Sequence, residues 1–423
     1  MTACKEGHLV SRRALLGGAV SLSLWGGLPK RSHASARDPR LLTVILRGGL
    51  DGLWLASPAG DPDLERLRGR FAVTGSGEGA GLPLDSFFVL NPAMPYLHGL
   101  YRKQEALIVH AVATPYRERS HFDGQDVLES GLPGVARVDD GWLNRAVAGL
   151  AIEAKANPGG LVKPTTRGLA MGAVVPLVMR GPASVLTWIP QTFGIPLRES
   201  TIARLSDLYA QTDPGLAKAF ADGIALDKVA VAGGAAATTA KSSPSAPSQP
   251  PLMREFVDTA EAAARFLGSS DGPRIGVLSY NGWDTHANAG AIKGQLANRL
   301  GGLDAAIKAF ADGIGPAWND TVVVVVTEFG RTARINGTEG TDHGTATAAL
   351  IIGGGVKGGR VIADWPGLSE KALHQARDLR PTRDLRSVLK GVLRDHVGIP
   401  DKALADVVFP ASGSVAALDG LIG

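Results

Sequence analysis

Cysteine is almost absent from the 423-residue sequence, which contains only Cys4. Because Cys4 lies in a leader that we expect to be cleaved, the rest of the chain has no disulfide, no thiol nucleophile and no thiolate ligand for a metal. Charged residues are also scarce, at 20%, whereas hydrophobic residues make up 44%. A chain of this length and composition can bury a large core.

A strong net charge is absent as well. The formal charge is +4, and the first 36 residues supply this excess alone, with five Lys and Arg against one Glu. The remainder is about neutral and gives no electrostatic attraction for nucleic acid or an anionic membrane, so we expect no nucleic-acid partner. The motifs of phosphate-binding loops, of G-x-S-x-G hydrolases and of H-E-x-x-H zinc sites are also missing.

The N-terminal segment "SRRALLGGAVSLSLWGGLP" (11–29) joins paired arginines to an apolar stretch, and "SHASA" (32–36) follows with small residues at A-x-A spacing. This pattern predicts a twin-arginine signal peptide over residues 1–36, cleaved near Ala34 or Ala36. The alternative is an uncleaved anchor helix, although the apolar stretch is short for a bilayer span. We expect the twin-arginine translocase to export the chain to the periplasm or the extracellular space, with no stable membrane span after cleavage.

Strands and helices alternate along the rest of the chain. The strand patterns are continuous apolar runs, in "RLLTVILRGGLDG" (40–52), "ALIVHAVAT" (106–114), "RIGVLSY" (274–280), "TVVVVVTEFG" (321–330) and "AALIIGGGV" (348–356). Runs without polar alternation indicate strands covered on both faces, and helical patterns at 253–268, 290–313 and 381–398 supply the cover. We predict an α/β three-layer sandwich with a mostly parallel sheet over residues 37–423, a single domain with a mobile low-complexity loop at about 229–251.

In an open α/β sheet, ligands bind beyond the carboxyl ends of the strands. The polar side chains predicted at this edge are Asp51, Ser120, His121, Asp123, Asp284, His286, Glu328, Arg331, Asp342 and His343. Clustered carboxylates repel one another unless a cation lies among them, and mixed Asp and His ligands suit zinc, manganese or iron. The number of ligands favours two divalent ions over one, an arrangement suited to phosphoryl-type displacement.

Several of these residues also have a purely structural interpretation. Asp51 in "GGLDG" would cap its own turn. Asp284 would cap a helix and leave His286 on the surface. Glu328 would form an ion pair with Arg331. These alternatives remain open on the sequence alone.

Five motifs follow one another in order, namely "ILRGGLDGL", "SHFDGQDVLESG", "DGWLNR", "TEFGRT" and "TDHGTA". Together with the leader, they resemble the exported bacterial family catalogued as domain of unknown function 1501, over essentially the whole mature chain. That family is similar to the alkaline phosphatase and sulfatase superfamily, whose sheet carries ligands for one or two divalent metals at its strand ends. The resemblance implies an alkaline-phosphatase-like fold and metal ligands at Asp51, Asp284, His286, Asp342 and His343.

The nucleophile of that superfamily is a Ser, a Thr or a formylglycine at a helix N-terminus soon after the first strand. The C-x-P-S-R signature is absent, which excludes a cysteine-type sulfatase, and Glu328 stands where relatives often carry Asp-His. Ser120 is the best nucleophile candidate because an N-cap hydroxyl lies in the field of a helix N-terminus. However, it lies far along the chain from Asp51, and its spacing to Asp123 fits a capping box equally well.

The resulting hypothesis is an exported metal-dependent hydrolase of a phosphate or sulfate ester, with a small molecule or a polymer as substrate. In this hypothesis His121 and Glu328 assist the metal ligands, Arg331 grips the anion through its guanidinium fork, and Ser120 or water attacks. The alternative is a non-catalytic exported binding or assembly factor on a hydrolase-like scaffold, with a structural metal.

Overall fold

A nine-stranded sheet forms the centre of the fold. The computed structural model describes residues 37–156, 168–189, 199–230 and 251–423, so the predicted leader and residues 231–250 of the low-complexity segment lie outside the described residues. The strands are β1 Arg40–Arg47, β2 Ala56–Ser57, β3 Leu82–Pro83, β4 Val89–Leu90, β5 Ala106–Ala113, β6 Gly168–Met171, β7 Val185–Trp188, β8 Ile275–Asn281, β9 Thr321–Thr327, β10 Thr347–Ile352, β11 Arg360–Ile362 and β12 Arg383–Asp384.

Eleven α-helices lie in the described ranges. They are α1 Gly52–Leu55, α2 Leu64–Arg68, α3 Pro95–Arg102, α4 His121–Ser130, α5 Trp142–Ala156, α6 Glu199–Thr212, α7 Pro214–Ala230, α8 Pro251–Gly268, α9 Gln295–Ile314, α10 Leu385–Val392 and α11 Asp401–Ala403. Among these described helices, none combines the length and the apolar composition needed to cross a bilayer.

The order of the strands brings the ends of distant segments together. The large sheet runs β11-β5-β10-β9-β1-β8-β6-β7, with β12 also paired to β5, and β2, β4 and β3 form a separate small sheet. All neighbours in the large sheet are parallel except β10, which is antiparallel to both β5 and β9. Because β10 runs in the opposite direction, the residues just before it lie at the same edge as the carboxyl ends of β1, β8 and β9.

The five consecutive valines of β9 explain why the sheet has helices on both faces. Val323 and Val325 belong to one buried cluster, together with side chains of α3, α8 and α9. The alternate residues Val322, Val324 and Val326 belong to a second cluster with side chains of α4, α5 and α10. Burying each valine contributes roughly 1.5–3 kcal/mol, so both faces stabilise the sheet. The predicted α/β three-layer sandwich with a mostly parallel sheet is confirmed.

Candidate metal centre

Two loops come together at the carboxyl edge because glycine allows their backbones to approach closely. Gly48 follows β1 with φ +121°, and a Cβ there would lie 2.5 Å from the backbone nitrogen of Asp284. The Gly48 N–H donates to Glu328 Oε1 at 2.8 Å. The turn "RGG" therefore brings the ends of β1, β8 and β9 into contact, as only a residue without a side chain could do.

The segment "TDHGTA" is held against "TEFGRT" by an antiparallel bridge between His343 and Arg331. A Cβ on Gly344 would lie 2.4 Å from the Arg331 carbonyl carbon, so this position also needs glycine. The Gly344 N–H donates to the carbonyl of Gly330 at 2.8 Å. This packing places Asp342 and His343 beside residues that follow β9, although they precede β10.

Three histidines at this edge use the same ring nitrogen, Nδ1, for a hydrogen bond to the protein. Each donates Nδ1–H to an acceptor that cannot itself donate: His121 to Glu328 Oε1 at 2.8 Å, His286 to Asp342 Oδ1 at 3.0 Å, and His343 to the carbonyl of Arg119 at 2.8 Å. A carboxylate or carbonyl bound to the outer nitrogen is the usual support of a metal-binding histidine, because it fixes the tautomer with Nε2 available. The structure thus presents three Nε2 atoms as candidate ligand atoms for a metal ion.

The three Nε2 atoms converge on one carboxylate, that of Asp284. Its Oδ1 lies 2.9 Å from His286 Nε2 and 3.2 Å from His343 Nε2, and the two nitrogens are 3.0 Å apart. His121 Nε2 lies 3.5 Å from Asp284 Oδ2 and is buried without a hydrogen-bond partner. Ligand atoms of His121, Asp284 and His343 all lie within 4.8 Å of one another. Three imidazole nitrogens and one carboxylate fit a divalent zinc, manganese or iron ion.

The charged groups of this cluster strongly shift one another's pKa values. The carboxylates of Asp284 and Glu328 raise the pKa of His121 to about 9. Burial alone raises the pKa of Asp284, but contacts from His121, His343 and Arg331 outweigh it and bring that pKa well below its usual range. A proton on the His121 imidazole and the Arg331 guanidinium supply positive charge beside these carboxylates.

Glu328 orients His121 and is itself held by several hydrogen bonds. Its side chain is 0% exposed. Its oxygens accept hydrogen bonds from the Gly48 N–H at 2.8 Å, from Thr327 Oγ1 at 2.9 Å and from Gln125 Nε2 at 3.3 Å, besides that of His121. Burial raises the pKa of Glu328, but the His121 hydrogen bond and the other donors lower it overall. Glu328 pairs with His121, and not with Arg331 as the structural alternative proposed.

Asp51 is not brought into the cluster with the histidines. It is 2% exposed and forms a two-pronged ion pair with Arg68, at 2.8 Å and 3.1 Å. Its Oδ1 also accepts the Trp54 N–H at 3.1 Å, which caps α1 as the turn interpretation expected. A chain of hydrogen bonds through Thr341 and Arg331 connects Asp51 to Asp284.

Arg331 lies between these two carboxylates with 2% exposure. Its Nη1 donates to Asp284 Oδ1 at 2.5 Å and to the Gly48 carbonyl at 3.3 Å. Its Nη2 donates to the carbonyl of Thr341, and its Nε to the hydroxyl of the same residue at 3.4 Å. The guanidinium is thus held by the protein and fixes Asp284.

Ser120 is the N-cap of α4, and its Oγ accepts the Asp123 N–H at 3.5 Å. Its own N–H donates to the Tyr116 hydroxyl at 3.1 Å. The capping interpretation therefore describes its contacts, and the nucleophile role stays a prediction. Ser120 directly precedes His121, so it lies at the helix end that carries one of the three candidate Nε2 ligands.

A cavity of about 920 Å³ lies along the face of α4 that carries Phe122, Gln125 and Glu129. Arg47 forms part of its lining, where it pairs with Glu129 at 2.5 Å and donates to Gln125 Oε1 at 2.5 Å. Gln125 also reaches Glu328, which holds His121, so one hydrogen-bonded chain connects the cavity to the histidine cluster. The Phe122 ring is 86% exposed.

The sequence predictions missed supporting residues, of which Arg68, Asn336 and Arg119 are examples. Arg68 neutralises Asp51, and Asn336 donates to Asp342 Oδ1 at 3.0 Å. Arg119 supports His343 through its backbone carbonyl, at a φ of +63°. Any residue type can supply a backbone carbonyl, so the sequence does not reveal such an acceptor. Arginines are also too common for one of them to indicate a buried ion pair with an aspartate 17 positions away.

The chain is similar to several solved structures. A protein of the alkaline phosphatase superfamily from Vibrio parahaemolyticus matches with 13% identity and a TM-score of 0.33, over 75% of this chain and 60% of that one. The phosphonate monoester hydrolase of Agrobacterium radiobacter matches with 12% identity and a TM-score of 0.34, over 84% and 73%. The periplasmic domain of EcEptC from Escherichia coli, in complex with zinc, matches with 11% identity and a TM-score of 0.26, over 77% of each.

With TM-scores this low, these similarities do not indicate the activity of the chain. No curated protein matches the sequence significantly. A family model described as "Protein of unknown function (DUF1501)" matches residues 104–408, which include the whole histidine cluster but not Asp51. The chain therefore belongs to the DUF1501 family, as the five motifs predicted.

Proposed function

We propose that the chain is an exported metal-dependent hydrolase of phosphate or sulfate esters. The observation that supports this proposal most is the close contact between the imidazole rings of His286 and His343. Both Nδ1 atoms donate to acceptors, so the two Nε2 lone pairs face each other at 3.0 Å beside the carboxylate of Asp284. Lone pairs at this distance repel unless a proton or a metal cation lies among them.

The residues proposed to hold a divalent ion are His121, Asp284, His286 and His343. Such an ion would polarise an ester oxygen and stabilise the negative charge that develops during displacement. Asp342 and Glu328 would keep His286 and His121 oriented, with each Nε2 directed at the centre. Their loss would loosen the ligands rather than remove one.

Arg331 is proposed to set the position and the charge of Asp284, which it contacts at 2.5 Å. Ser120 is proposed as the attacking hydroxyl, because the N-terminus of α4 stabilises negative charge on its oxygen. A bond from this oxygen to phosphorus or sulfur would replace the bond to the ester alcohol, which leaves with the Ser120 proton, and water would then release the phosphate or sulfate. The cavity beside α4, of about 920 Å³, is proposed to take the organic part of an ester substrate, although its lining includes none of the four proposed ligands and reaches the centre only through Gln125 and Glu328. That volume lies within the usual size of a small-molecule site, roughly 300–1,000 Å³.

Hydrolysis of a panel of p-nitrophenyl phosphates, phosphodiesters and sulfates tests this proposal, in the presence of zinc, manganese or iron. We expect turnover that His343→Ala abolishes and Ser120→Ala lowers by two orders of magnitude or more. His98→Gln is the matched control, because His98 lies on α3 and contacts the Pro83 carbonyl. Turnover that survives in the His343→Ala protein would show that this centre is not the catalyst.

A non-catalytic binding or assembly factor is the second candidate. The contacts of Arg331 favour it, because that guanidinium is buried and its donors are engaged by Asp284, Gly48 and Thr341 of the protein itself. Its metal would then be structural. This candidate predicts no turnover on any ester of the panel and a large fall in thermal stability when the metal is removed by a chelator.

Export rests on the sequence of residues 1–36. We expect the mature N-terminus, determined by mass spectrometry, to follow Ala34 or Ala36 in protein recovered from the periplasm. Replacing Arg12 and Arg13 together with Lys should retain the chain in the cytoplasm. Export that is unaffected by this double replacement would contradict the twin-arginine route.

A further inference from the structure

The carboxylate of Asp51 has no capacity left for a cation. Its Oδ1 accepts from Trp54 N and Arg68 Nη2, and its Oδ2 accepts from Arg68 Nη1 and Thr341 Oγ1. Both partners of the ion pair have side chains only 1% exposed. A metal ion at Asp51 would have to displace a guanidinium that has no access to water.

Displacement would be unfavourable for Arg68 itself. Its guanidinium also donates to the backbone carbonyls of Ala333 at 2.7 Å and Thr332 at 3.0 Å, and it lies over the Trp54 ring at 4.5 Å. These contacts hold the cation in place. Leaving it there without Asp51 would bury an unpaired charge, which is strongly destabilising.

Arg331 fills the space between Asp51 and the histidines with a second fixed positive charge. It reaches Thr341, which bonds to Asp51, and it contacts Asp284 directly. Each of the two aspartates thus has one guanidinium partner. Within the described part of the chain, the candidate ligand atom that is buried without a hydrogen-bond partner is His121 Nε2, which lies on the histidine side and not at Asp51.

We infer that the centre binds a single divalent ion, and that Arg68 and Arg331 supply the positive charge that a second ion would otherwise bring to the Asp51 side. The ion is held by His121, Asp284, His286 and His343. The inference rests on the metal centre of the proposed function and deepens it. A single ion replaces the two ions that we predicted from the number of candidate ligands in the sequence.

The stoichiometry of zinc binding tests the inference without reference to activity. The protein is depleted with a chelator and titrated with zinc by calorimetry, and bound zinc is counted by elemental mass spectrometry after desalting. We expect one equivalent per chain. Two equivalents would overturn the inference, and so would the absence of any bound zinc.

Two variants locate the ion. The double replacement Asp51→Asn with Arg68→Met removes both charges together and keeps an amide oxygen to accept the Trp54 N–H, so we expect one equivalent to remain. His343→Ala should lose that equivalent, whereas the control His98→Gln should retain it. Loss of zinc from the double variant, with its fold intact by circular dichroism, would place the ion at Asp51 and overturn the inference.

The result is independent of turnover. Two equivalents together with ester hydrolysis would leave the hydrolase standing and contradict the single ion. One equivalent in a protein that hydrolyses no ester would support the single ion and contradict the hydrolase.

Discussion

The backbone carbonyl of Arg119 accepts the Nδ1–H of His343 at 2.8 Å, and it does so from a left-handed backbone at φ +63°. A non-glycine residue in this region needs support from its surroundings. The support comes from Asp378, which is buried and binds Arg119 Nε at 2.8 Å, while Gln375 Oε1 binds Arg119 Nη2 at 2.7 Å. The orientation of His343 therefore depends on a side chain from a distant segment.

Asp378→Ala should weaken zinc binding about tenfold, since supports of this kind typically change metal affinity by 10–100-fold. Without the carboxylate, Arg119 is free to leave its left-handed conformation and its carbonyl no longer orients His343. Competition with a chromophoric chelator measures the affinity. The matched control is Arg377→Ala, because Arg377 contacts the other oxygen of the same carboxylate at 3.2 Å. Equal affinities in the wild type and in Asp378→Ala would exclude this positioning role.

The buried ion pair of Asp51 and Arg68 should show strong coupling in unfolding experiments. Arg68→Met alone leaves an unpaired buried carboxylate and should lower the free energy of unfolding by about 3–5 kcal/mol. Asp51→Asn together with Arg68→Met should lose less than the two single variants combined. Urea denaturation of the four proteins measures the coupling, and purely additive losses would mean that the pair contributes nothing as a pair.

Two buried histidines should make the fold sensitive to acid. Burial lowers the pKa of both His110 and His396 to about 4. Since the unfolded chain takes up these protons at about 6.5, stability should be full above that pH and fall as the pH decreases towards 4, by up to about 3 kcal/mol for each histidine.

His110→Gln tests this pH dependence. His110 Nε2 donates to the carbonyl of Ala56 at 2.9 Å, a bond that a glutamine amide can replace without titrating. We expect the free energy of unfolding of the variant to fall less steeply than that of the wild type between pH 6.5 and 4. Parallel curves for the two proteins would contradict the lowered pKa.

Phe122 should affect substrate binding and leave stability unchanged. Its ring is 86% exposed at the cavity beside α4, so Phe122→Ser should change the free energy of unfolding by less than about 0.5 kcal/mol. For aryl esters we expect KM to rise several-fold with little change in kcat. The control is Leu208→Ser, which removes another exposed apolar side chain, 52% exposed on α6. If the KM of Phe122→Ser equals that of Leu208→Ser, the cavity beside α4 is not part of the substrate site.

The sequence predicted the five long strands because buried parallel strands are continuously apolar, as in the valine run of β9. It missed β6 and β7 at the sheet edge, since four-residue strands are too short to give a pattern. Helix boundaries were less accurate. The predicted helix at 290–313 begins at Gln295, because Gly290 and Gly294, both with positive φ, precede it.

Within the site, the sequence indicated which residue types meet but not how they pair. His121, Asp284, His286 and His343 do lie together, since the ends of parallel strands share one edge. The turn alternative anticipated the cap that Asp51 forms on α1, but the ion pair that keeps Asp51 away from the histidines could not be foreseen. It depends on Arg68, whose role is visible only once α2 is packed against Asp51.

Anomalous diffraction at the zinc edge, from crystals of the protein grown with zinc, tests the central claim most directly. The account predicts a single peak bounded by Nε2 of His121, His286 and His343 and by the carboxylate of Asp284. The zinc–nitrogen distances should be about 2.0–2.1 Å. The absence of a peak among these four residues, or a peak beside Asp51, would contradict it.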